Sequence, residues 1–155
     1  MRLKQLIAFL CVTTVAAFAA QRADFSGWWQ LNAEKSKNVG IMSQMKMILA
    51  IEQSQTVLDV NTHTTFQGKD DDSKAHYDLT GKPVSNESPM GGPAETVTKW
   101  QAGKLVTTWT SETAVAGGPK VVRTETRSLS ADGKTMTVES VRGSSPALVM
   151  VFEKK

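Results

Sequence analysis

Past residue 20 the apolar residues of this chain mostly alternate with polar ones in short segments, and each segment ends in a turn signal. Side chains of an extended strand point to opposite faces in turn, so this period of two specifies strands with one face toward a core. In the segment Phe25 to Leu31, Phe25, Gly27, Trp29 and Leu31 take one face and Ser26, Trp28 and Gln30 the other. A glycine between large rings marks a bend or a close approach by another backbone. The same alternation recurs in Met45 to Gln53, Thr56 to Gln67, Ser73 to Thr80, Glu95 to Gln101, Lys104 to Ser111, Lys120 to Leu129, Lys134 to Arg142 and Ala147 to Glu153. Asn32 to Asn38 is polar and reads as a turn or a short helix.

The joints between segments are as informative. Gly68 to Asp72 reads as a charged hairpin tip in which Gly68 pairs with Ser73, bringing Phe66 opposite Ala75, Thr64 opposite Tyr77 and His63 opposite Asp78. A hairpin about Ala102-Gly103 puts Trp100 opposite Leu105, Thr98 opposite Thr107 and Thr96 opposite Trp109. Asp132-Gly133 is a strong turn, and Ser85 to Ala94, with two prolines and a Gly-Gly pair, reads as a loop over one mouth with a short strand at its start.

Successive hairpins make an up-and-down meander, and a meander of this length leaves two exposed edges unless it rolls up. The expected fold is therefore all-β: an antiparallel up-and-down β-barrel of 8–10 strands with a short N-terminal helix or turn, the last strand closing against Phe25 to Leu31. A barrel of this size is wide enough for a small ligand, whereas a sandwich fills its core.

Ahead of the barrel, Arg2 and Lys4 precede the apolar run Leu6 to Phe18 and a small-residue ending at Ala19-Ala20. This pattern predicts a signal peptide over residues 1–20, hence an exported periplasmic or extracellular protein with its barrel domain at 21–155. The apolar run is too short for a membrane span. Cleavage removes Cys11, the single cysteine, so no disulfide is expected. With Arg2 and Lys4 also gone, the 18 Lys and Arg of the whole chain fall to 16 against 15 Asp and Glu. That near balance argues against a nucleic-acid partner, and a monomer is expected.

Asp24-Phe25-Ser26-Gly27-Trp28-Trp29, followed by Leu31-Asn32 and Lys35-Ser36-Lys37, resembles the opening of lipocalin-like small secreted bacterial proteins, whose first strand carries a Gly-x-Trp signature. The resemblance continues loosely through Trp100 to Leu105, Leu129 to Thr135 and Val151 to Lys154. It implies a calycin-type barrel in which Gly27 and Trp29 are the structural signature and Trp29 packs at the closed end. The Asp-Arg motif of lipocalins, and the last-strand arginine that covers their tryptophan, have no counterpart evident in the sequence.

Rings interleaved with hydroxyls describe a pocket wall. Trp100, Trp109, Leu105, Thr98 and Thr107 share a face, and with Met47, Tyr77 and Arg127 they form the candidate ligand-binding set. Arg123, Glu125 and Arg127 share the face of Leu129. Turned inward, one arginine pairs with Glu125 and the other holds an anionic head group. Because burying three charges is costly, an outward ion ladder is the expected arrangement. His63, His76 and Asp78 share a solvent-facing side without supporting groups, and Met42, Met45, Met47, Met90, Met136 and Met150 suit adaptable filling better than copper(I). No metal site and no cofactor are expected. No nucleophile elbow or paired-carboxylate arrangement is present, so no enzyme activity is expected. The favoured function is a carrier or sensor of a small apolar molecule. The alternative is a filled barrel acting as a protein or cell-envelope interaction module.

Overall fold

The computed structural model describes residues 22–89, 91–113 and 117–155. The signal peptide expected at 1–20 and Met90 lie outside them. Ten strands form one antiparallel sheet: β1 (Gly27–Leu31), β2 (Lys46–Gln53), β3 (Val57–Phe66), β4 (Lys69–Asp78), β5 (Val84–Glu87), β6 (Pro93–Gln101), β7 (Lys104–Ser111), β8 (Val121–Leu129), β9 (Thr135–Arg142) and β10 (Leu148–Lys154). Their order is β4-β3-β2-β1-β10-β9-β8-β7-β6-β5. The first and last strands are thus zipped together, with Trp29 opposite Lys154, Gln30 opposite Glu153 and Leu31 opposite Phe152. The barrel is nearly closed, and its seam falls between β4 and β5.

Across that seam the Asn86 side chain stands in for a strand. Its Oδ1 accepts the His76 N–H at 2.8 Å, and its Nδ2 donates to the His76 carbonyl at 2.7 Å and to Thr96 Oγ1 at 2.8 Å. A carboxamide has the donor and acceptor of a peptide edge, so this buried residue satisfies backbone groups that an open edge leaves bare. Asn86→Ala is expected to cost about 1–3 kcal/mol and to speed hydrogen exchange at the His76 amide. An unchanged exchange rate there would remove the seam from this account.

Turn chemistry sets most of the registers. Ala102 and Gly103 both take positive φ, 47° and 77°, the two-residue turn that matches strand twist, and Trp100, Thr98 and Thr96 face Leu105, Thr107 and Trp109 as expected. The β3–β4 hairpin departs from expectation. Gln67 and Gly68 form the turn, with φ of 50° and 75°, and Lys69 already pairs with Phe66. Phe66 and Thr64 therefore face Lys69 and Asp71, not Ala75 and Tyr77, while Tyr77 lies opposite Leu58. The pairing slides by six residues, an even number, so every side chain keeps its face.

Asn32 to Asn38 takes the turn alternative, over Ala33 to Lys35, and a 3-10 turn follows at Gly40–Gln44. One other expectation changes. The punctuated loop shrinks to Ser88 to Gly92, because β5 and β6 pair Val84 with Thr96 and Glu87 with Pro93.

Strand direction gives the barrel a floor, where Gln53 meets Leu58 and Gln101 meets Lys104, and a mouth, where Lys46 meets Thr65 and Arg123 meets Arg142. The floor half is solid. Phe25, Trp29, Leu58, Leu105 and Met136 are at most 1% exposed. Trp29 donates its indole N–H to the Phe25 carbonyl at 2.8 Å, and the Lys154 ammonium stands 5.3 Å from a Trp29 ring centroid. A last-strand cation does cover the tryptophan; it is a lysine, which a search for arginine overlooks. Gly27 serves this contact with φ of +126°, since a Cβ there would lie 3.0 Å from Lys154 Cε. The close approach expected at Gly27 is made by a side chain, not by another backbone.

Candidate functional site

The mouth half is hollow. A cavity of about 1240 Å³ opens between the strands, larger than the roughly 300–1,000 Å³ that pockets for small molecules occupy. Alternation builds its walls. Met47 and Leu49 of β2, Val60 of β3, Val138 of β9 and Met150 and Phe152 of β10 give an apolar side. Thr62, Thr64, Ser73 and Ser140 add hydroxyls nearer the rim, and Ser88, Pro89 and Gly91 form part of the mouth.

Against the apolar side stands a charged cluster on β8. The register places Arg123 beside Trp109, Glu125 beside Thr107 and Arg127 beside Leu105. All three of those β7 residues face inward, so the β8 charges face inward too. Arg127 and Glu125 are each 7% exposed, with Nη2 to Oε1 at 2.8 Å. The outward ladder expected from sequence is thereby corrected. Charge is tolerated inside because Arg127 and Glu125 neutralise each other and because aromatic faces receive both guanidinium groups. Arg123 lies 4.6 Å from a Trp109 ring centroid and Arg127 5.6 Å from that of Tyr77, while Tyr77 meets Trp109 edge-on at 5.9 Å.

The cluster holds two cations and one anion, and its donors are not all used. Among the described residues, Arg123 Nη2, Arg127 Nε and Trp109 Nε1 are buried without a hydrogen-bond partner. Unpaired buried donors are costly, so an acceptor reaching them gains more than it would in water. The geometry defines an internal, positively biased anchor on the wall that faces the apolar side of the chamber.

Tyr77 is 4% exposed. Burial, with the Glu125 charge as a second cause, pushes its phenol well above the ordinary value of 10.0, so it stays neutral in the fold. A raised value means stability that is full below pH 10 and lost above it, as the unfolded chain ionises where the folded one cannot. Tyr77 is the single tyrosine, so phenolate absorbance reports on it alone. That signal is expected to stay silent past the pH at which free tyrosine titrates, then to rise together with loss of the fold. A simple titration near pH 10 with the fold intact would contradict its burial.

Of the candidate ligand-binding residues, Met47, Tyr77, Trp109 and Arg127 line the cavity, and Trp100, Leu105, Thr98 and Thr107 do not. Leu105 belongs to the solid floor. Thr98 and Thr107 satisfy each other, Oγ1 to Oγ1 at 2.9 Å. Trp100 stacks on Phe25 at 6.2 Å. Sharing a face does not place side chains at one height in a tilted barrel. Arg123 and Glu125 also line the cavity; their trace in the sequence is the face they share with Leu129, which packs against the core.

The histidines part company. His63 Nδ1 lies 2.7 Å from Asp72 Oδ1, His76 Nδ1 lies 2.6 Å from Asp59 Oδ1, and Asp78 accepts the Thr80 N–H at 2.8 Å. Opposite His63 stands Asp72, not Asp78. Among the described residues no group of three or more His, Cys, Asp or Glu is arranged to hold a metal.

The fold is of calycin type, and solved structures of fatty-acid-binding proteins share it. The fatty-acid-binding protein 1 of Echinococcus granulosus superposes with a TM-score of 0.65 at 14% identity, covering 84% of this chain and 96% of that one. The Schistosoma mansoni fatty-acid-binding protein, solved in complex with arachidonic acid, gives 0.63 at 16% over 84% and 96%. The fatty-acid-binding protein of Drosophila melanogaster brain gives 0.62 at 15% over 84% and 99%. No protein-family model matches the sequence, and no curated protein matches it.

Proposed function

We propose that this chain is an exported, non-catalytic, lipocalin-like carrier or sensor that encloses one small amphipathic molecule. The apolar body of the ligand occupies the chamber between Met47, Val60, Val138 and Met150, and an anionic group meets Arg123 and Arg127. The observation that carries this reading is the set of buried, unpartnered donors on the wall of a hollow, partly apolar chamber. Each apolar Å² the ligand buries contributes about 25 cal/mol before the costs of association, and a charge-assisted bond to Arg123 selects acids over neutral chains. The likeness to fatty-acid-binding proteins supports the same class of ligand.

Calorimetric titration with dodecanoate and with dodecanol tests it. Dodecanoate is expected to bind one-to-one and more tightly than the alcohol. Arg123→Gln should weaken dodecanoate by about tenfold or more, within the range of a hydrogen bond to a charged group, and leave dodecanol nearly unchanged. No saturable binding of either, or an equal loss for both, would sink the proposal.

A further inference from the structure

Trp100, left outside the cavity, forms part of a second recess at the opposite end of the barrel. Gln55 and Thr56 before β3, Thr80 after β4, Lys99 and Trp100 of β6, and Arg22 surround a cleft of about 380 Å³. It shares no lining residue with the large cavity.

We infer that this floor cleft binds the phosphate group of a small polar molecule. Arg22 and Lys99 give it two cations, and no carboxylate lines it. The Arg22 guanidinium lies 5.6 Å from a Trp100 ring centroid; stacking on a ring leaves the edge N–H groups of the fork free for an oxyanion. Lys99 runs across Gly81, where a Cβ would fall 2.9 Å from its Cε. A residue with φ of +93° and no side chain is what lets the lysine lie there. The indole N–H of Trp100 is buried without a partner. The Thr56 hydroxyl and the Gln55 amide supply neutral donors on the same rim, whereas the Thr80 hydroxyl is already given to Asp78. The floor turns are tied together: the Leu79 N–H donates to the Thr56 carbonyl at 2.8 Å, and Asp78 accepts the Thr80 N–H. Paired cations of different shape with hydroxyl and amide donors suit a phosphate better than a carboxylate, whose two oxygens leave half of them unused.

The soluble and lipid-borne forms of this chemistry are separable. Glycerol 3-phosphate is titrated into the nitrogen-15-labelled protein, with sodium chloride at matched ionic strength as control. A saturable shift of the Trp100 indole and Thr80 amide signals is expected, absent with chloride. The double variant Arg22→Gln with Lys99→Gln should weaken it at least tenfold, and Lys99→Arg should retain it. Saturating dodecanoate should leave it unchanged, so its outcome is independent of the cavity ligand. Flotation on phosphatidylglycerol but not phosphatidylcholine vesicles, competed by glycerol 3-phosphate, assigns a lipid headgroup; titration without flotation assigns a soluble phosphate. Shifts that grow linearly and equally with chloride, or that survive the double variant, overturn the inference.

Discussion

Replacing Arg127 with methionine is expected to destabilise the barrel by about 3–5 kcal/mol, the cost of leaving a buried charge without its partner. The side chains of Arg127 and Glu125 are 8% and 9% exposed, so Glu125 keeps little of its bulk hydration once the guanidinium is gone. Changing Glu125 to leucine in the same chain should recover most of the loss, because an apolar pair of similar volume replaces a buried ion pair at little or no cost. The check is the urea midpoint of the two variants, with far-ultraviolet dichroism as probe. A loss below about 1 kcal/mol in the single variant, typical of surface pairs, would mean that β8 turns its charges to solvent after all.

The second large effect belongs to the floor. Trp29→Ala should cost about 3–5 kcal/mol, since Trp29 is 0% exposed, donates to the Phe25 carbonyl and carries the Lys154 ammonium on its face. Lys154→Met should cost much less, as a single cation–π contact is worth about 0.5–2 kcal/mol and the apolar stem over Gly27 is kept. Where the Trp29→Ala chain still folds, dodecanoate affinity should be little changed, because Trp29 does not line the cavity. A large loss of affinity without loss of stability would place Trp29 at the ligand and contradict the division into solid floor and hollow mouth.

How far these features were legible in the sequence varies with the physics behind each. The barrel and its closure follow from alternation and from the penalty on open edges, which need no knowledge of contacts. The β6–β7 register follows from Ala102-Gly103, a pair that suits only a tight turn. The β3–β4 register escaped because Lys69 to Asp72 looks like a solvated tip; in the fold Asp70 and Asp72 are strand residues facing Thr65 and His63. The seam at β4 and β5 was invisible, since it depends on one asparagine side chain meeting His76.

The site was half legible for a related reason. Period-two patterning fixes which face a side chain takes but not its height along a tilted strand. Trp100 and Trp109 were rightly put on one surface, yet they stand at opposite ends, one at the floor cleft and one at the cavity. Arg123, Glu125 and Arg127 were assigned outward because the price of burying charge is plain in a sequence and the pairing that offsets it is not. The 2.8 Å contact between Arg127 and Glu125, and the ring beneath each arginine, exist only in three dimensions.

The central claim is that the mouth half of the cylinder encloses an alkyl acid, with its head group at Arg123 and its chain along Met47, Val138 and Met150. The most direct measurement is a set of intermolecular nuclear Overhauser effects between bound dodecanoate and the protein methyl groups. Contacts from the alkyl chain to Met47, Met150 and Val138 together are expected. Contacts confined to the exposed Val122 and Val141, or none at all under saturating ligand, would contradict it.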